Sequence, residues 1–359
     1  MDRPAARAVL DRLWRRGLDL LGCEVAILGG AMTWVSERNL VAAISNAGGF
    51  GVIACGSMTP ALLADEIGAT RALTAKPFGV NLIVMHPALA TLAETCIAHG
   101  VSHVVLAGGL PPADIVRRLR DAGVKVLGFA PALAIARKLV RSGIDGLIIE
   151  GMEAGGHIGA VSTSVLAQEI LPVLSEVPVF VAGGIGRGEA ILCYLEMGAA
   201  GCQLGTRFVC ARESIAHPRF KQAFIRAAAR DATPSVQLDR RFPVIPVRAL
   251  ANKATEAFLE RQRDVVGRFD RGEISQKEAQ LEIEHFWAGA LRRAVVDGDV
   301  EHGSLMAGQS VGLVSAEQPT AAIIGELVDQ ALAAIVRRAA LLAPKPEQGA
   351  AAPDRGAAE

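Results

Sequence analysis

Eight short apolar runs, each followed by a stretch whose apolar residues recur at helical spacing, constrain the fold of this 359-residue chain most strongly. A run that is apolar on both faces is typical of a parallel strand covered by helices. Eight strand–helix units in succession predict an α/β fold, a closed (β/α)8 TIM barrel, rather than an open sheet. The runs lie at residues 24–28, 50–54, 78–83, 101–106, 124–129, 146–149, 177–182 and 201–204.

The pattern changes after residue 208, where strand signals give way to charged residues at helical spacing. We therefore predict that the barrel spans 20–235 and that an inserted or appended helical subdomain lies over the barrel mouth at 236–303. A glycine-bearing loop and an amphipathic helix at 304–342 are predicted to return to the barrel, and the helix is compatible with a homodimer. The end of the chain, 343–359, is rich in Ala, Pro and Gly and is predicted to be disordered.

Composition argues against several classes of protein. Lys plus Arg equals Asp plus Glu at 37 each, and aromatic residues make up only 4%, so we expect no nucleic-acid partner. The His, Cys and carboxylate residues lack the spacing of metal ligands, so we expect no metal. Residues 1–4 do not resemble a signal peptide and no apolar run reaches membrane-spanning length. Six scattered cysteines fit a reducing compartment, and we expect a cytoplasmic protein.

Glycine follows nearly every predicted strand, in the loops that carry the active site of a barrel of this type. Glycine lets the backbone approach a ligand closely because it has no side chain. The loops after the seventh and eighth strands are the favoured phosphate site of the fold. There Gly183, Gly184, Gly205 and Thr206 predict a nest of backbone amides for an anion, with ordinary turns as the alternative.

Three polar side chains at the predicted strand ends are candidates for ligand contact. Asn81 and Gln203 lie near the ends of the third and eighth strands, where an amide can fix the edge of a ring. His157 lies in a glycine-rich loop after the sixth strand, and imidazole exchanges protons near neutral pH. The alternatives are a strand-end turn residue for Asn81 and a helix cap for His157. Arg207 is compatible with pairing either a phosphate or a neighbouring helix.

Six motifs follow one another along the chain: GGAMTW at 29–34, NAGGFG at 46–51, KPFGVN at 76–81, EAGGH at 153–157, AGGI at 182–185 and QLGTRF at 203–208. In this order they resemble the nitronate monooxygenase family, also called 2-nitropropane dioxygenase. That family includes the flavin-dependent enoyl-acyl-carrier-protein reductase II branch. The resemblance runs from about residue 25 to residue 332.

The resemblance implies an oxidoreductase whose barrel binds FMN non-covalently at the strand ends, with His157 as the catalytic histidine. Two departures stand out: Ala31 separates Gly30 from Met32, and Glu150 stands where many nitronate-oxidising members have glutamine. The cofactor contacts expected for this chain fall on Gly29, Gly30, Ala31, Met32, Asn81, Glu150, Gly155, Gly156, Gly183, Gly184, Gln203, Leu204, Gly205 and Thr206.

Two reactions on a small-molecule substrate fit this resemblance. The favoured one is oxidation of an alkyl nitronate with O₂, with His157 beside the flavin. The alternative is reduction of an enoyl thioester with NAD(P)H, in which His157 polarises the thioester carbonyl. The stretches WAGA at 287–290 and MAGQ at 306–309 are similar to the reductase branch. A flavin-binding protein without activity, and a phosphosugar isomerase using Glu150 or Glu153 as base, are also left open.

Overall fold

The computed structural model describes residues 1–342, apart from the side chains at 284, 285 and 288, so the predicted tail at 343–359 lies outside the described residues. Eight parallel strands pair side by side and confirm the predicted (β/α)8 barrel. The ring closes between the first two strands, where the amide of Gly29 donates to the carbonyl of Phe50 at 2.9 Å. The strands are β1 (Ile27–Gly29), β2 (Gly51–Ala54), β3 (Phe78–Ile83), β4 (His103–Ala107), β5 (Lys125–Ala130), β6 (Gly146–Glu150), β7 (Val179–Ala182) and β8 (Gly201–Leu204).

Several helices begin at a residue whose side chain caps the first turn. Thr59 accepts the amide of Leu62 at 3.3 Å before a helix whose first residue is Pro60. No helix within residues 1–342 is long and apolar enough to cross a membrane. The helices are α1 (Arg3–Leu13), α2 (Arg15–Leu21), α3 (Arg38–Asn46), α4 (Pro60–Leu73), α5 (Leu89–Ala98), α6 (Ala113–Asp121), α7 (Leu133–Arg141), α8 (Thr163–Ile170), α9 (Gly188–Glu196), α10 (Thr206–Val209), α11 (Pro218–Arg226), α12 (Lys253–Asp270), α13 (Gln276–Val295) and α14 (Thr320–Leu342).

Strand residues alternate between two apolar clusters. Inward side chains such as Leu28 and Leu127 fill the barrel interior. Outward side chains such as Ile27 and Val126 pack against the surrounding helices. Both faces of each strand are therefore buried, which explains why the strands form continuous apolar runs in the sequence.

A second, antiparallel sheet lies outside the barrel, and the sequence did not predict it. Its central strand pairs with one short strand along one edge and with two strands of only two residues along the other. The helical hairpin α12–α13 shares a separate apolar cluster with this sheet, including Phe242, Phe258 and Trp287. The central strand is Val247–Leu250, and its partners are Ala232–Pro234, Gly156–His157 and Leu305–Met306.

Helix α14 packs back onto the barrel against α9, at a point where only glycine fits. A Cβ added to Gly188 would lie 1.9 Å from the carbonyl oxygen of Leu327, and real carbon–oxygen contacts are never that short. The first turn of α9 and the middle of α14 are therefore in backbone contact, which fixes the position of α14 beside the loop after β7.

Substituting Gly188 by alanine is expected to destabilise the protein by about 1–3 kcal/mol, because the new methyl group overpacks this contact. Denaturant unfolding followed by circular dichroism measures the change. Gly325→Ala on α14 is the control, since nothing lies within 4 Å of a Cβ there. Its helix propensity should stabilise the protein by up to about 1 kcal/mol. If the two variants had equal stabilities, the close packing of Gly188 on Leu327 would be contradicted.

Candidate active site

The carboxyl ends of the eight strands meet at one end of the barrel, so the loops after them share one surface. Strand register places two of the predicted site residues on either side of one strand. Ala182 on β7 is flanked by Glu150 on β6 and by Gln203 on β8. Since neighbouring strands are about 4.8 Å apart, Glu150 and Gln203 lie within about 10 Å of each other across the mouth.

The loops after β7 and β8 carry backbone amides without a protein partner. Gly183 and Gly184 adopt φ values of +99° and +72°, which favour glycine. A Cβ on Gly183 would lie 3.0 Å from both the carbonyl of Gly151 and the hydroxyl of Thr163. Within the described part of the chain, no residue accepts a hydrogen bond from the amides of Gly184, Ile185, Gly205 or Thr206. These amides can therefore bind an anionic group such as a phosphate.

A segment around Gly308 connects the loops after β6 and β8. Its amide donates to the hydroxyl of Thr206 at 2.9 Å, and the amide of Gln309 donates to the carbonyl of Glu153 at 2.9 Å. Gly155 packs so closely on this segment that a Cβ there would lie 2.5 Å from the amide nitrogen of Gly308. The sequence indicated a glycine-bearing loop here, but not that it fixes both site loops.

The two predicted amide side chains are both buried. Asn81 donates from Nδ2 to the carbonyl of Val105 at 3.1 Å, which leaves its Oδ1 for a ligand. Gln203 forms no side-chain hydrogen bond with any residue of 1–342 for which the structure defines a side chain. Both amides can therefore still contact a ligand.

The loop after β1 supplies packing as well as a candidate contact surface. Gly29 lies against Ile44, whose Cδ1 would be 2.4 Å from an added Cβ, and Gly30 donates its amide to the carbonyl of Leu204 at 2.8 Å. Ala31 and Met32 are half-buried, and the sulfur of Met32 lies beside Gly205. The first and eighth loops are thus in direct contact.

Glu150 is the carboxyl group at the end of β6. The residue is half-buried, and its side chain forms no hydrogen bond or ion pair with the described residues. Desolvation by the surrounding protein raises the pKa of Glu150 to about 8. Glu150 is therefore mostly protonated at pH 7, and in that form it can donate a hydrogen bond as well as accept one.

Glu153 is engaged elsewhere. Its Oε2 accepts hydrogen bonds from the amide and the hydroxyl of Thr163, both at 2.8 Å, at the start of α8. A carboxylate at a helix N-terminus is stabilised by the backbone amides there. Glu153 therefore fixes α8 to the site loop, which argues against its use as a catalytic base.

His157 lies in the antiparallel sheet, paired with Val247, and its side chain is exposed. Residues directly opposite in such a pair point to the same face. The imidazole therefore lies on the face that also carries Val247 and Met306, which belong to the apolar cluster of the α12–α13 hairpin. The sequence predicted a glycine-rich loop here. At His157 the chain is instead a short strand, paired with Val247 in this sheet.

Arg248, which the sequence did not single out, points to the other face of that sheet. It is 2% exposed, and it donates from Nε to the carbonyl of Met152 at 2.9 Å and from Nη1 to the carbonyl of Ala232. Burial lowers the pKa of Arg248. Arg248 therefore holds the loop that bears His157. Nothing in the sequence indicates this role, because an arginine inside a strand has no distinguishing pattern.

Arg207 is the candidate that the sequence left open between a phosphate and a helix. Arg207 donates to Gln318 and Glu326 of the C-terminal segment, at 2.8 and 2.7 Å, so it pairs with the neighbouring helix. Among the side chains that the structure describes, no three His, Cys, Asp or Glu groups lie closely enough to hold a metal ion. Two surface cavities of about 440 and 500 Å³ lie at the opposite end of the barrel, beside the first residues of β3 and β5, and contain none of the predicted site residues.

Comparison with known proteins gives consistent matches. The family model described as Nitronate monooxygenase matches residues 16–330. A Mycobacterium tuberculosis protein named (3aS,4S,5R,7aS)-5-hydroxy-7a-methyl-1-oxo-octahydro-1H-indene-4-carboxyl-CoA dehydrogenase is 32% identical, covering 82% of this chain and 90% of its own length. A Paraburkholderia phytofirmans protein named nitronate monooxygenase is 29% identical, covering 88% and 95%. The solved structure of FabK from Thermotoga maritima has a TM-score of 0.81 and 35% identity, covering 91% and 99%.

Proposed function

The chain belongs to the nitronate monooxygenase family and is an oxidoreductase, and from this premise we propose that it works with non-covalently bound FMN at the strand ends. The unpaired amides of Gly184, Ile185, Gly205 and Thr206 support this proposal, because they fit the phosphate of such a cofactor. Asn81 and Gln203 would hold the edge of its ring. When bound, FMN supplies hydride and electron transfer at a flat ring, while this chain binds and orients it.

We propose an acyl thioester as the substrate class, with NAD(P)H as the co-substrate. The observation that carries this choice is the face on which His157 lies. That face carries Val247 and Met306 of the apolar cluster, whereas the buried cation of the same sheet, Arg248, lies on the opposite face. A small anion such as a nitronate requires a nearby cation, while an acyl chain requires apolar contact.

The relatives support the same choice. FabK, the enoyl-acyl-carrier-protein reductase II, is 35% identical, and the dehydrogenase of a carboxyl-CoA substrate is 32% identical. In this reaction His157 would donate a hydrogen bond to the thioester carbonyl oxygen and pass on a proton, the usual role of an imidazole as general acid. The six cysteines are free thiols in the structure, in keeping with the cytoplasmic location that we expect.

Nitronate oxidation, which the sequence favoured, is the second candidate. The family model over 16–330 and the 29% identical relative named nitronate monooxygenase support it. Glu150 bears on this candidate, because a neutral carboxyl group is compatible with an anionic substrate and an ionised one repels it. Oxidation by O₂ is therefore expected to weaken above about pH 8 if this second reaction is the correct one.

Anaerobic mixing of the yellow protein with NAD(P)H tests the proposal. We expect NAD(P)H to bleach the visible flavin absorption and an enoyl-CoA thioester to restore it without O₂. Mixing with an alkyl nitronate, in a separate sample, is the control for the second candidate. Bleaching by the nitronate alone would reject the thioester reaction. A colourless protein that takes up no FMN would reject both reactions.

A further inference from the structure

Helix α14 connects the two loops that carry the unpaired amides. The side-chain carbonyl of Gln330 accepts the amide of Gly188 at 2.8 Å, and its Nε2 donates to Glu326 at 2.9 Å. The other carboxylate oxygen of Glu326 accepts from Nη2 of Arg207 at 2.7 Å. Three hydrogen bonds thus join Gly188 to Arg207 through two residues on one face of the helix, four positions apart.

Both ends of this connection are close in sequence to these amides. Gly188 is the first residue of α9 and follows Gly184 by four positions, in the loop after β7. Arg207 follows Thr206 without a gap, in the loop after β8. The close packing of Gly188 on the carbonyl of Leu327 adds a backbone contact at the same place. The spacing between the two loops therefore depends on α14.

Arg207 depends on Glu326 because it has few other partners. The residue is 4% exposed, and its Nε and Nη1 have no hydrogen-bond partner within the described residues. In that part of the structure, Glu326 is the carboxylate that pairs with it. A buried guanidinium that loses its carboxylate is strongly disfavoured, so the position of Arg207 depends on Glu326.

We propose that the residues Gly188, Gln330, Glu326 and Arg207 form a positioning network that sets the spacing of the phosphate-binding amides. This inference rests on the proposal that FMN is the cofactor. The three side chains are positioning residues, since they act through the loops on either side. The network would therefore favour FMN over riboflavin, which has the same ring and no phosphate.

The variant Gln330→Leu tests the network without leaving a buried charge unpaired. We expect the Kd of the full-length, flavin-free protein for FMN to rise about tenfold, the loss of roughly one hydrogen bond. The Kd for riboflavin should stay within about twofold, since the ring contacts lie on other residues. Quenching of flavin fluorescence during titration measures both constants. If Gln330 had a purely structural role, the variant would weaken the binding of both flavins to the same extent.

Asp329→Asn is the matched control, on the same helix and in the next position. Asp329 pairs with Arg3 at the surface, away from the two loops, so neither Kd should change. Glu326→Gln provides a second variant. It removes the carboxylate that pairs with the buried Arg207, so a larger loss of FMN affinity than in Gln330→Leu is expected.

The titrations test the network and the proposed cofactor separately. If the wild-type protein prefers FMN to riboflavin and Gln330→Leu keeps that preference, the network is not a positioning device. If the wild-type protein binds neither flavin, the proposed cofactor is wrong and the inference fails with it. A selective loss of FMN affinity in Gln330→Leu, together with an unchanged Asp329→Asn, is the result expected.

Discussion

Replacing His157 by alanine is expected to lower kcat by about 10²–10⁴-fold, the usual contribution of a positioned acid–base group. FMN affinity should be unchanged, because the amides that we propose to bind the phosphate belong to the loops after β7 and β8. The backbone of His157 is paired with Val247, so the loop should keep its position without the imidazole. Steady-state reduction of an enoyl thioester gives kcat, and a flavin fluorescence titration gives the affinity.

Two further variants make this result specific. His302→Ala removes an exposed imidazole that contacts Asp299, and its kcat should equal that of the wild type. His157→Gln keeps a hydrogen-bond donor but cannot exchange a proton. A larger kcat for glutamine than for alanine would indicate that the histidine polarises the carbonyl. Full turnover in His157→Ala would mean that another residue performs the chemistry.

The barrel could be predicted because its strands are buried on both faces. The predicted bounds of β3 and β8 equal the observed Phe78–Ile83 and Gly201–Leu204, and the other strands differ by at most a few residues at either end. Strand order along the chain then places every strand-end loop on one surface. That is why the sequence alone could assemble Asn81, Glu150, His157 and the glycine loops as one candidate site.

The antiparallel sheet could not be predicted because its signal is too short. Gly156–His157 and Leu305–Met306 have two residues each, and an alternating pattern needs about four or more. Their partner Val247–Leu250 lies about 90 residues after the first of them and about 55 before the second. The face on which His157 lies therefore became known only from strand register.

The α14 network was hidden for a different reason. Polar residues of an amphipathic helix, such as Glu326 and Gln330, are expected to face solvent. Their partners, Arg207 and Gly188, lie more than 100 residues earlier in the chain, where no local pattern connects them. From the sequence, Arg207 was compatible with pairing a phosphate or a neighbouring helix, and in the structure it pairs with the helix.

The environment of Glu150 also could not be read from the sequence, and it leads to a prediction about stability. Burial raises the pKa of this carboxyl group from 4.5 to about 8 in the folded protein. Between these pH values the unfolded chain releases the proton while the folded protein retains it. The unfolded state then binds fewer protons, so stability falls as the pH rises. The stability associated with the protonated group is complete below pH 4.5 and is lost as the pH rises through about 8.

Glu150→Gln is therefore expected to stabilise the protein, by an amount that grows with pH. Glutamine has nearly the same shape as a protonated glutamate and does not ionise. The difference in unfolding free energy should be close to zero below pH 4.5 and about 3 kcal/mol at pH 7, taking 1.36 kcal/mol for each pH unit above the unfolded value. Because Glu150 is half-buried, solvent screening makes that figure an upper bound.

Thermal unfolding of both proteins between pH 4.5 and pH 8.5 measures this difference. Glu169→Gln, an exposed position on α8, is the control and should give the pH profile of the wild type. Parallel profiles for Glu150→Gln and the wild type would mean that Glu150 is ionised at neutral pH. A profile that diverges with rising pH would establish a neutral carboxyl group at the end of β6. Such a group can donate a hydrogen bond to the cofactor that we propose for this site, which a carboxylate cannot do.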